Sequence, residues 1–175
     1  IECLLTDDWS TAQRLAQELE QLNRTRRHVE GEMRAQADSI VQALATADSN
    51  AKNDADESDE TLIQPKTEKS AIDNQNRSII LYQDDWHQGV IGIVAGRLKE
   101  SHYLPSIVFA PADTERTGDD DAIKGSARSI AGVHIRDAIE QVAERYPDLI
   151  SHFGGHAMAA GLTIKRRHFD GFVAA

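Results

Sequence analysis

The chain has 175 residues, a formal net charge of −10 and one cysteine. This length predicts one domain with an appendage or two small domains, and a single cysteine excludes an internal disulfide. No apolar run approaches the roughly 20 residues of a membrane-spanning helix, so we expect no such helix. The cysteine content fits a reducing cytosol, and we expect a cytoplasmic protein; a disulfide-free secreted protein is the alternative with the same cysteine content.

The first predicted region, residues 1–45, is a connector that consists mostly of one long helix. Apolar residues recur at helical spacing from about Ser10 onward, and Asp8 or Ser10 is suited to cap the N-terminus. At about 1.5 Å per residue the helix is on the order of 50 Å long, which is typical of a connector between two lobes. The arginine-rich segment 24–27 interrupts its apolar positions. A solvated helix face is the default interpretation of these arginines, and the alternative is that they line a groove between lobes.

The second region, residues 46–76, is predicted to be an acidic disordered insertion or linker. It has few apolar residues, and such a segment cannot bury enough surface to offset the entropy of ordering. Residues 48–73 hold eight acidic residues and three lysines, and residues 113–121 hold five acidic residues and one arginine. The rest of the chain has 16 acidic and 15 basic residues. The net charge therefore does not exclude a local basic surface that binds nucleic acid.

The third region, residues 77–170, has the pattern of a compact α/β domain. Strands and helices alternate, which favours a mixed sheet covered by helices. The predicted strands are residues 78–82, 106–110, 123–129 and 161–165, and the predicted helices are residues 90–100 and 134–146. The fold class is therefore α/β: a long N-terminal connector helix followed by a small mixed-sheet domain with flanking helices. Residues 171–175 are predicted to begin a truncated following element, so we expect a piece of a longer protein.

The first of three candidate functional motifs is Gly154-Gly155-His156. Adjacent glycines let the backbone turn through positive φ and let a ligand approach its N–H groups. His156 can donate a hydrogen bond or a proton near neutral pH. Alone, such a motif is more often a tight turn with a satisfied histidine. The small residues after it, together with the next motif, favour a phosphate-facing turn that leads into the strand at Gly161.

The second motif is Lys124-Gly125-Ser126-Ala127-Arg128. In a strand, Ser126 and Arg128 point to the same face, where a hydroxyl and a guanidinium can hold one phosphate together. Lys124 lies on that face as well. The alternative for this segment alone is the polar face of an edge strand, and its combination with Gly-Gly-His favours the phosphate site.

The third motif, Trp86-His87-Gln88-Gly89, opens a glycine-rich helix. Gly92 and Gly96 would weaken that helix unless something packs close to it, and we interpret both as sites of close helix-on-sheet packing. The alternative is a helix N-terminus presented to an anion. The sequence leaves the roles of Trp86 and His87 open.

These motifs, in this order, resemble the C-terminal half of the catalytic core of RecJ-type single-strand-specific DNA exonucleases, in the Asp-His-His phosphoesterase superfamily. The resemblance rests on residues 86–98, 125–129 and 153–161, and the arginine-bearing helix is similar to the family's connector between lobes. It implies that residues 77–170 are the Asp-His-His-associated domain, which faces a metal-binding lobe across a groove.

By the same resemblance, Ser126 and Arg128 would bind a phosphate near the 5′ end of the DNA. Gly154, Gly155 and His156 would contact the scissile phosphate region, where His156 would be catalytic by donating a proton or a hydrogen bond. The family's Mn²⁺ or Mg²⁺ lobe is built from aspartates and histidines, and this chain contains no Asp-His-His sequence. The metal ligands are therefore expected upstream of this chain, and none of its residues is predicted to bind metal.

The leading hypothesis, as the resemblance implies, is the substrate-binding half of a metal-dependent 5′→3′ single-stranded DNA exonuclease in DNA repair and recombination. Its partner would be single-stranded DNA with a 5′ end; no protein partner is indicated, and the isolated chain is expected to be inactive. Two alternatives stay open: an oligonucleotide or cyclic-dinucleotide phosphodiesterase of the same superfamily, and a non-catalytic nucleic-acid- or phosphate-binding module. The acidic segment 46–76 departs from the family's pattern, and we expect it on the outer surface or disordered, because it would repel DNA if it lay in the groove.

Overall fold

The computed structural model describes residues 1–51, 70–72, 78–112, 118 and 121–175. Within these residues the chain forms a long helix followed by a mixed sheet with helices on both faces, which confirms the predicted α/β class. No helix in the described ranges is both long and apolar enough to cross a membrane.

Two helices open the chain, the short α1 (Glu2–Leu5) and the long α2 (Trp9–Ala51). Asp8 caps α2, because its carboxylate accepts hydrogen bonds from the Thr11 backbone N–H at 2.9 Å and from the Ser10 hydroxyl at 2.7 Å. The hydrogen bond from the Thr11 hydroxyl, followed by that from Ser10, lowers the pKa of Asp8 to about 2. Asp8, one of the two predicted caps, therefore begins the connector helix.

The two halves of α2 have different surroundings. The first half is exposed, and Leu19 and Leu22 keep 56% and 66% of their surfaces accessible. The second half packs on the sheet domain through a buried stripe formed by Met33, Ala37, Ile40 and Val41. The helix therefore leaves the domain as a projecting arm.

In the part of the chain that the structure describes, six strands form one mixed sheet. The strands are β1 (Ser70–Ile72), β2 (Ile79–Tyr82), β3 (Ser106–Pro111), β4 (Ala122–Arg128), β5 (His152–His156) and β6 (Ala159–Lys165). Their order across the sheet is β1-β2-β3-β4-β6-β5. The β2 and β3 strands are parallel, and every other neighbouring pair is antiparallel.

Three further helices cover the sheet: α3 (Ile91–His102), α4 (Ile135–Arg145) and α5 (Phe169–Ala174). Helix α3 and the second half of α2 share one hydrophobic core with β2 and β3, and α3 also reaches β4. Helices α4 and α5 pack on the opposite face, in a core that includes Phe109, Leu162 and Ile164. The sheet is thus the middle layer of three, and strands β5 and β6 extend beyond the cover of α3.

Trp86 holds the connector helix on the sheet domain. Its ring is 1% exposed, and its indole N–H donates to Gln36 Oε1 at 2.7 Å. The Gln36 amide donates to Asp85 at 3.4 Å, and Met33 Sδ accepts from the His87 backbone N–H at 3.5 Å. Buried tryptophan with a satisfied N–H anchors both packing and orientation. The role of Trp86 that the sequence left open is therefore to fix α2 to the domain.

Part of residues 46–76, which are predicted to be an acidic disordered insertion or linker, forms regular secondary structure. Helix α2 continues to Ala51, and β1 pairs antiparallel with β2. A helix that is already nucleated gains a backbone hydrogen bond with each added residue, and the edge of β2 offers unpaired backbone groups to a short strand. The rest of the segment lies outside the described residues.

Residues 171–175 are predicted to begin a following element, and residues 171–174 lie in α5, which starts two residues earlier, at Phe169. Phe169 and Phe172 are both buried and lie edge-on to the Phe109 ring, with centroids 5.7 and 5.5 Å away. This aromatic contact ties α5 into the domain core.

Two glycines that look alike in the sequence differ in their packing. A Cβ on Gly125, in β4, would lie 2.5 Å from the Phe109 ring and 2.8 Å from Leu162. A Cβ on Gly96, in α3, would meet nothing within 4 Å among the described residues. Close packing, which we predicted for Gly96, is therefore wrong at that position, because Gly96 does not face a packed neighbour.

Alanine substitutions at these two glycines should change stability in opposite directions. Gly125→Ala should lower the free energy of unfolding by about 1–3 kcal/mol, because the added methyl overpacks the core. Gly96→Ala should raise it by about 0.5–1 kcal/mol, because alanine loses less conformational entropy in a helix. Urea unfolding of the two variants and the parent chain measures both changes. Equal effects of the two substitutions would contradict this account of the core.

Candidate functional site

One half of the sheet presents a polar surface on the side where α3 packs. Side chains on paired antiparallel residues point to the same face, so the register defines this surface. We call it the open face; its residues are Lys124, Ser126 and Arg128 of β4, Ala159, Gly161 and Thr163 of β6, and His152, Gly154 and His156 of β5. Most of them are exposed or half-buried.

The register arranges the open face in three rows that run across the strands. Arg128 pairs with Ala159, which pairs with His156. The middle row joins Ser126, Gly161 and Gly154, and the last row joins Lys124, Thr163 and His152. Adjacent strands lie about 4.8 Å apart, so the outer members of each row are separated by about 10 Å at the backbone.

Ser126 and Arg128 form a pre-arranged pair of donors. Arg128 Nη1 donates to Ser126 Oγ at 3.0 Å and to the Ala127 carbonyl oxygen at 2.8 Å. The prediction that both side chains point to one face is confirmed. Arg128 has no carboxylate partner among the described residues, so its charge is available to an anion.

Helix α3 touches this pair at its first turn. A Cβ on Gly92 would lie 2.8 Å from Arg128 Nη2 and 3.0 Å from Ser126 Oγ. The close packing predicted at Gly92 is therefore confirmed, and its partner is the Ser126–Arg128 pair. Because a helix N-terminus carries partial positive charge, α3 adds to the positive potential beside Arg128.

Gly154, Gly155 and His156 lie in strand β5, so the prediction of a turn at these residues is wrong. The chain reverses one step later, at Ala157 and Met158, between β5 and β6. The Met158 carbonyl accepts from the Ser129 backbone N–H at 3.0 Å, which docks this turn against the segment after β4. Pairing with β6 extends the backbone of β5, and local glycine content did not reveal that long-range contact.

The two adjacent glycines serve different purposes. Gly155 has a φ of +149°, and a Cβ there would lie 2.5 Å from the Ala159 carbonyl oxygen and from Ala160 Cα. Gly154 would meet nothing within 4 Å among the described residues. Gly155 therefore permits the hairpin, whereas Gly154 keeps the open face free of a side chain.

His156 is exposed and lies in the same row as Arg128, across β6. Four of the five predicted site residues, namely Ser126, Arg128, Gly154 and His156, thus share the open face. The fifth, Gly155, acts through the backbone of the hairpin. An exposed imidazole and a guanidinium on one face can both donate to phosphate oxygens.

His152 and Thr163 of the open face were missed in the sequence. His152, Gly154 and His156 follow one another at a spacing of two, which is the period of a strand face. This spacing is visible in the sequence, but two adjacent glycines favour a turn over a strand. Lys124, placed on this face by its spacing, lies in the same row as these two residues.

The loop before α3 lies next to the open face. The Lys124 ammonium donates to Gln88 Oε1 at 3.2 Å. His87 is exposed, and its Nδ1 accepts from the Gly89 backbone N–H at 3.0 Å. The proton of a neutral His87 ring is therefore on Nε2.

The arginines of the connector helix have two kinds of surroundings. Arg24 pairs with Glu20 on the exposed arm. Arg26 and Arg27 line a depression between α2 and α3, together with Arg34 and Arg97. Arg26 also contacts Glu30 at 3.5 Å. Arg24, Arg26 and Arg27 are all exposed, as the default interpretation of a solvated helix face expects, and a role for them in a groove between lobes stays a prediction.

A metal site is absent from the described residues, which contain no group of three or more His, Cys, Asp or Glu side chains able to hold an ion. The open face carries an ammonium, a guanidinium, two hydroxyls and the imidazoles of His152 and His156, but no carboxylate, and this set of donors suits an anion. Divalent metal ions require carboxylate oxygens or imidazole nitrogens in convergent sets.

Residues 75–175 match the family model of the DHHA1 domain. The chain belongs to the DHHA1 domain family. The chain is 40% identical over 172 residues to the single-stranded-DNA-specific exonuclease RecJ of Haemophilus influenzae, which covers 98% of this chain and 25% of the relative. It is 37% identical over 172 residues to the RecJ of Escherichia coli, with the same 98% and 25% coverage. The chain thus spans about a quarter of the length of these curated relatives.

Solved structures carry the same fold as this DHHA1 chain. The crystal structure of RecJ in complex with Mn²⁺ from Thermus thermophilus has a TM-score of 0.64 and 29% identity, over 98% of this chain and 19% of that one. The Mg²⁺ complex from the same organism has a TM-score of 0.61 and 28% identity, over 99% of this chain and 21% of that one. The resemblance to RecJ-type exonucleases is confirmed.

Alanine substitutions at the two adjacent glycines of this DHHA1 domain, Gly154 and Gly155, should differ in their effect on the free energy of unfolding. Gly155→Ala should lower the free energy of unfolding by about 1–3 kcal/mol, because the residue needs positive φ and the methyl meets backbone atoms. Gly154→Ala should change it by less than about 0.5 kcal/mol, as an exposed substitution with no close neighbour. Urea unfolding measures both, and a Gly154→Ala variant as unstable as Gly155→Ala would contradict the assignment.

Proposed function

We propose that this chain is the substrate-binding part of a metal-dependent exonuclease that hydrolyses single-stranded DNA from a 5′ end. The observation that carries the proposal is the assembly of Ser126, Arg128, Gly154 and His156 on the open face of one sheet. The identity to proteins named single-stranded-DNA-specific exonuclease supports the choice of substrate. The chain itself would bind and orient the DNA.

Ser126 and Arg128 are proposed to hold a phosphate near the 5′ end. The guanidinium and the hydroxyl already lie 3.0 Å apart on one face, so little rotamer freedom is lost when both donate to the same anion. An arginine can give two parallel charge-assisted hydrogen bonds to phosphate oxygens. The first turn of α3, in contact through Gly92, would reinforce the attraction.

Gly154 and Gly161 are proposed to give the nucleic-acid backbone room to approach the sheet. They pair with each other and adjoin Ser126 in the middle row of the open face. A Cβ on either glycine would have no neighbour closer than 3.9 Å among the described residues. Internal packing thus does not explain these glycines, and close approach of a ligand does.

His156 is proposed to donate a hydrogen bond or a proton at the scissile phosphate. It is exposed and lies about 10 Å from Arg128 across the row, as the strand spacing sets. A phosphate held at Arg128 would therefore leave the next part of the backbone within reach of the imidazole. Donors aimed at phosphoryl oxygens neutralise the charge that develops during hydrolysis.

The Mn²⁺ or Mg²⁺ of such an enzyme would be held by residues outside this chain. The described donor set does not fit a metal site, and the chain spans about a quarter of its RecJ relatives. Crystal structures of RecJ from Thermus thermophilus were determined with these ions, and in a complete enzyme they would supply an activated water. The exposed first half of α2 is the segment proposed to connect the two lobes.

A role in DNA repair and recombination and a cytoplasmic location are part of the same proposal. Both follow from the proposed substrate, since single-stranded DNA ends arise while bacterial DNA is processed in the cytoplasm. The open face has no feature that selects a particular base sequence, because its donors suit phosphate. Degradation of single strands regardless of sequence is the activity that such a surface serves.

Removing the Arg128 guanidinium should lower the efficiency of cleavage and the preference for a 5′-phosphate. In the full-length protein, Arg128→Ala should reduce kcat/KM on 5′-phosphorylated single-stranded DNA by about 10- to 100-fold, the cost of a lost charged hydrogen-bond donor. It should also reduce the difference between 5′-phosphorylated and 5′-hydroxyl substrates. Steady-state kinetics on both substrates measure these effects.

Arg145→Ala is the matched control for that experiment, because Arg145 is an exposed arginine on α4, across the sheet from the open face. Its kinetics should equal those of the parent protein. If Arg128→Ala left kcat/KM on the phosphorylated substrate unchanged, Arg128 would not be in the site. A substrate-length series distinguishes an exonuclease from a phosphodiesterase that accepts only short oligonucleotides or cyclic dinucleotides.

The chain of 175 residues, purified alone, should show no Mn²⁺-stimulated nuclease activity. The physical reason is that its described residues hold no metal-binding group. Incubation with labelled single-stranded DNA and Mn²⁺, followed by gel electrophoresis, measures this, with the full-length protein as the positive control. Robust cleavage by the pure chain would contradict the proposal that the metal ligands lie outside it.

A further inference from the structure

The last row of the open face carries three polar side chains that the proposed function does not use. Lys124, Thr163 and His152 stand side by side across β4, β6 and β5. Lys124 and His152 are exposed, and Thr163 is half-buried. Together with Gly161 they line a shallow depression in the sheet surface. We propose that this row is a second contact for the phosphate backbone of single-stranded DNA, so the inference rests on the proposed function.

The Lys124 ammonium is held in place by a neutral partner and not by a carboxylate. Its ammonium donates to Gln88 Oε1 at 3.2 Å, and the Gln88 amide donates in turn to the Ala112 carbonyl at 3.3 Å. Gln88 thus bridges the end of β3 and Lys124. A neutral amide positions the ammonium without neutralising it, and no ion pair of Lys124 occurs within the described part of the chain.

The chemistry of the row suits phosphodiester oxygens. An ammonium, a hydroxyl and an imidazole can each donate a hydrogen bond, and no residue of the open face is acidic or a large aromatic. Bases would need stacking platforms, which single-strand binding proteins build from aromatic rings. The row therefore binds the backbone and is indifferent to base identity.

The distance between the first and last rows sets how long the DNA must be to reach both. Lys124 and Arg128 are four positions apart in β4, and His152 and His156 are four positions apart in β5. Four residues of a strand extend about 13 Å. Stacked nucleotides advance about 3.4 Å each along a strand, so the rows are about four stacked nucleotides apart, and fewer in an extended chain.

Among the described residues of β4, β6 and β5, the middle row between the first and last rows consists of Ser126, Gly161 and Gly154. None of these three has a large side chain. A strand bound with its terminal phosphate at Arg128 can therefore continue over the middle row to Lys124. Short ends would engage the first row alone, and longer strands would engage both.

Binding of oligonucleotides of two lengths tests the second row. The full-length protein, with metal ions removed by chelation to prevent cleavage, is mixed with a 5′-phosphorylated thymidine dinucleotide or dodecanucleotide. Lys124→Gln should weaken binding of the dodecanucleotide by about fivefold, as expected of an exposed charge contact. It should reduce the slope of log affinity against log salt by about 0.7, the value for one phosphate on a single strand.

The dinucleotide should bind Lys124→Gln as it binds the parent protein, since it is too short to reach the last row. His152→Gln should behave in the same direction as Lys124→Gln. Lys124→Arg, which keeps the charge, should retain the affinity of the parent. Arg128→Gln should weaken binding of both lengths, and Arg145→Gln, on the far side of the sheet, should weaken neither.

Equal weakening of both lengths by Lys124→Gln, or no weakening of either with an unchanged salt slope, would overturn the second row. In that case the proposed function would still stand if the parent protein bound both oligonucleotides and Arg128→Gln weakened that binding. If the parent protein bound neither oligonucleotide, the proposed function would fail together with the second row.

Discussion

The antiparallel pairing of β4, β6 and β5 is the constraint on which the candidate site depends. Each strand alone carries a few scattered polar residues, and the register turns them into rows on one face. A slip by one residue would move Ser126 and Arg128 into the core and bring Ala127 to the surface. The apolar contacts beneath α4 and α5 resist that slip, because they bury Ile123, Leu162 and Ile164 on the other face.

The glycines show how the same residue type serves packing and binding in one domain. Gly92 lets α3 touch the Ser126–Arg128 pair, and Gly125 leaves space for the Phe109 ring. Gly155 allows a backbone conformation that other residues rarely adopt. Gly154 and Gly161, by contrast, border open space. Substitutions at Gly92, Gly125 and Gly155 should therefore lower the stability of the fold. Substitutions at Gly154 and Gly161 should instead affect the binding of a ligand to the open face.

Trp86 and the second half of α2 connect the site to the rest of the protein. The indole hydrogen bond to Gln36 and the buried Met33 fix the direction in which the connector helix leaves the domain. A fixed direction is what the proposed connection to a metal-binding lobe would need, because a loose helix would vary the width of a groove between the lobes. This anchor is far from the open face in sequence, yet it shares a loop with Gln88, which orients Lys124. The placement of α2 and the shape of the open face are therefore linked through one short segment.

Local sequence patterns were sufficient to predict the α/β class, a long N-terminal helix capped at Asp8 or Ser10, and the shared face of Ser126 and Arg128. Each of these follows from periodicity or capping, which are local properties. Only the tertiary structure decided that Gly154-Gly155-His156 is a strand, that His152 and Thr163 join the open face, and that Trp86 is an anchor. These outcomes depend on pairing with β6 and on packing against α2, and contacts between distant residues leave no local pattern. Tertiary pairing also overrode the composition of residues 70–72, which form a strand on the edge of β2.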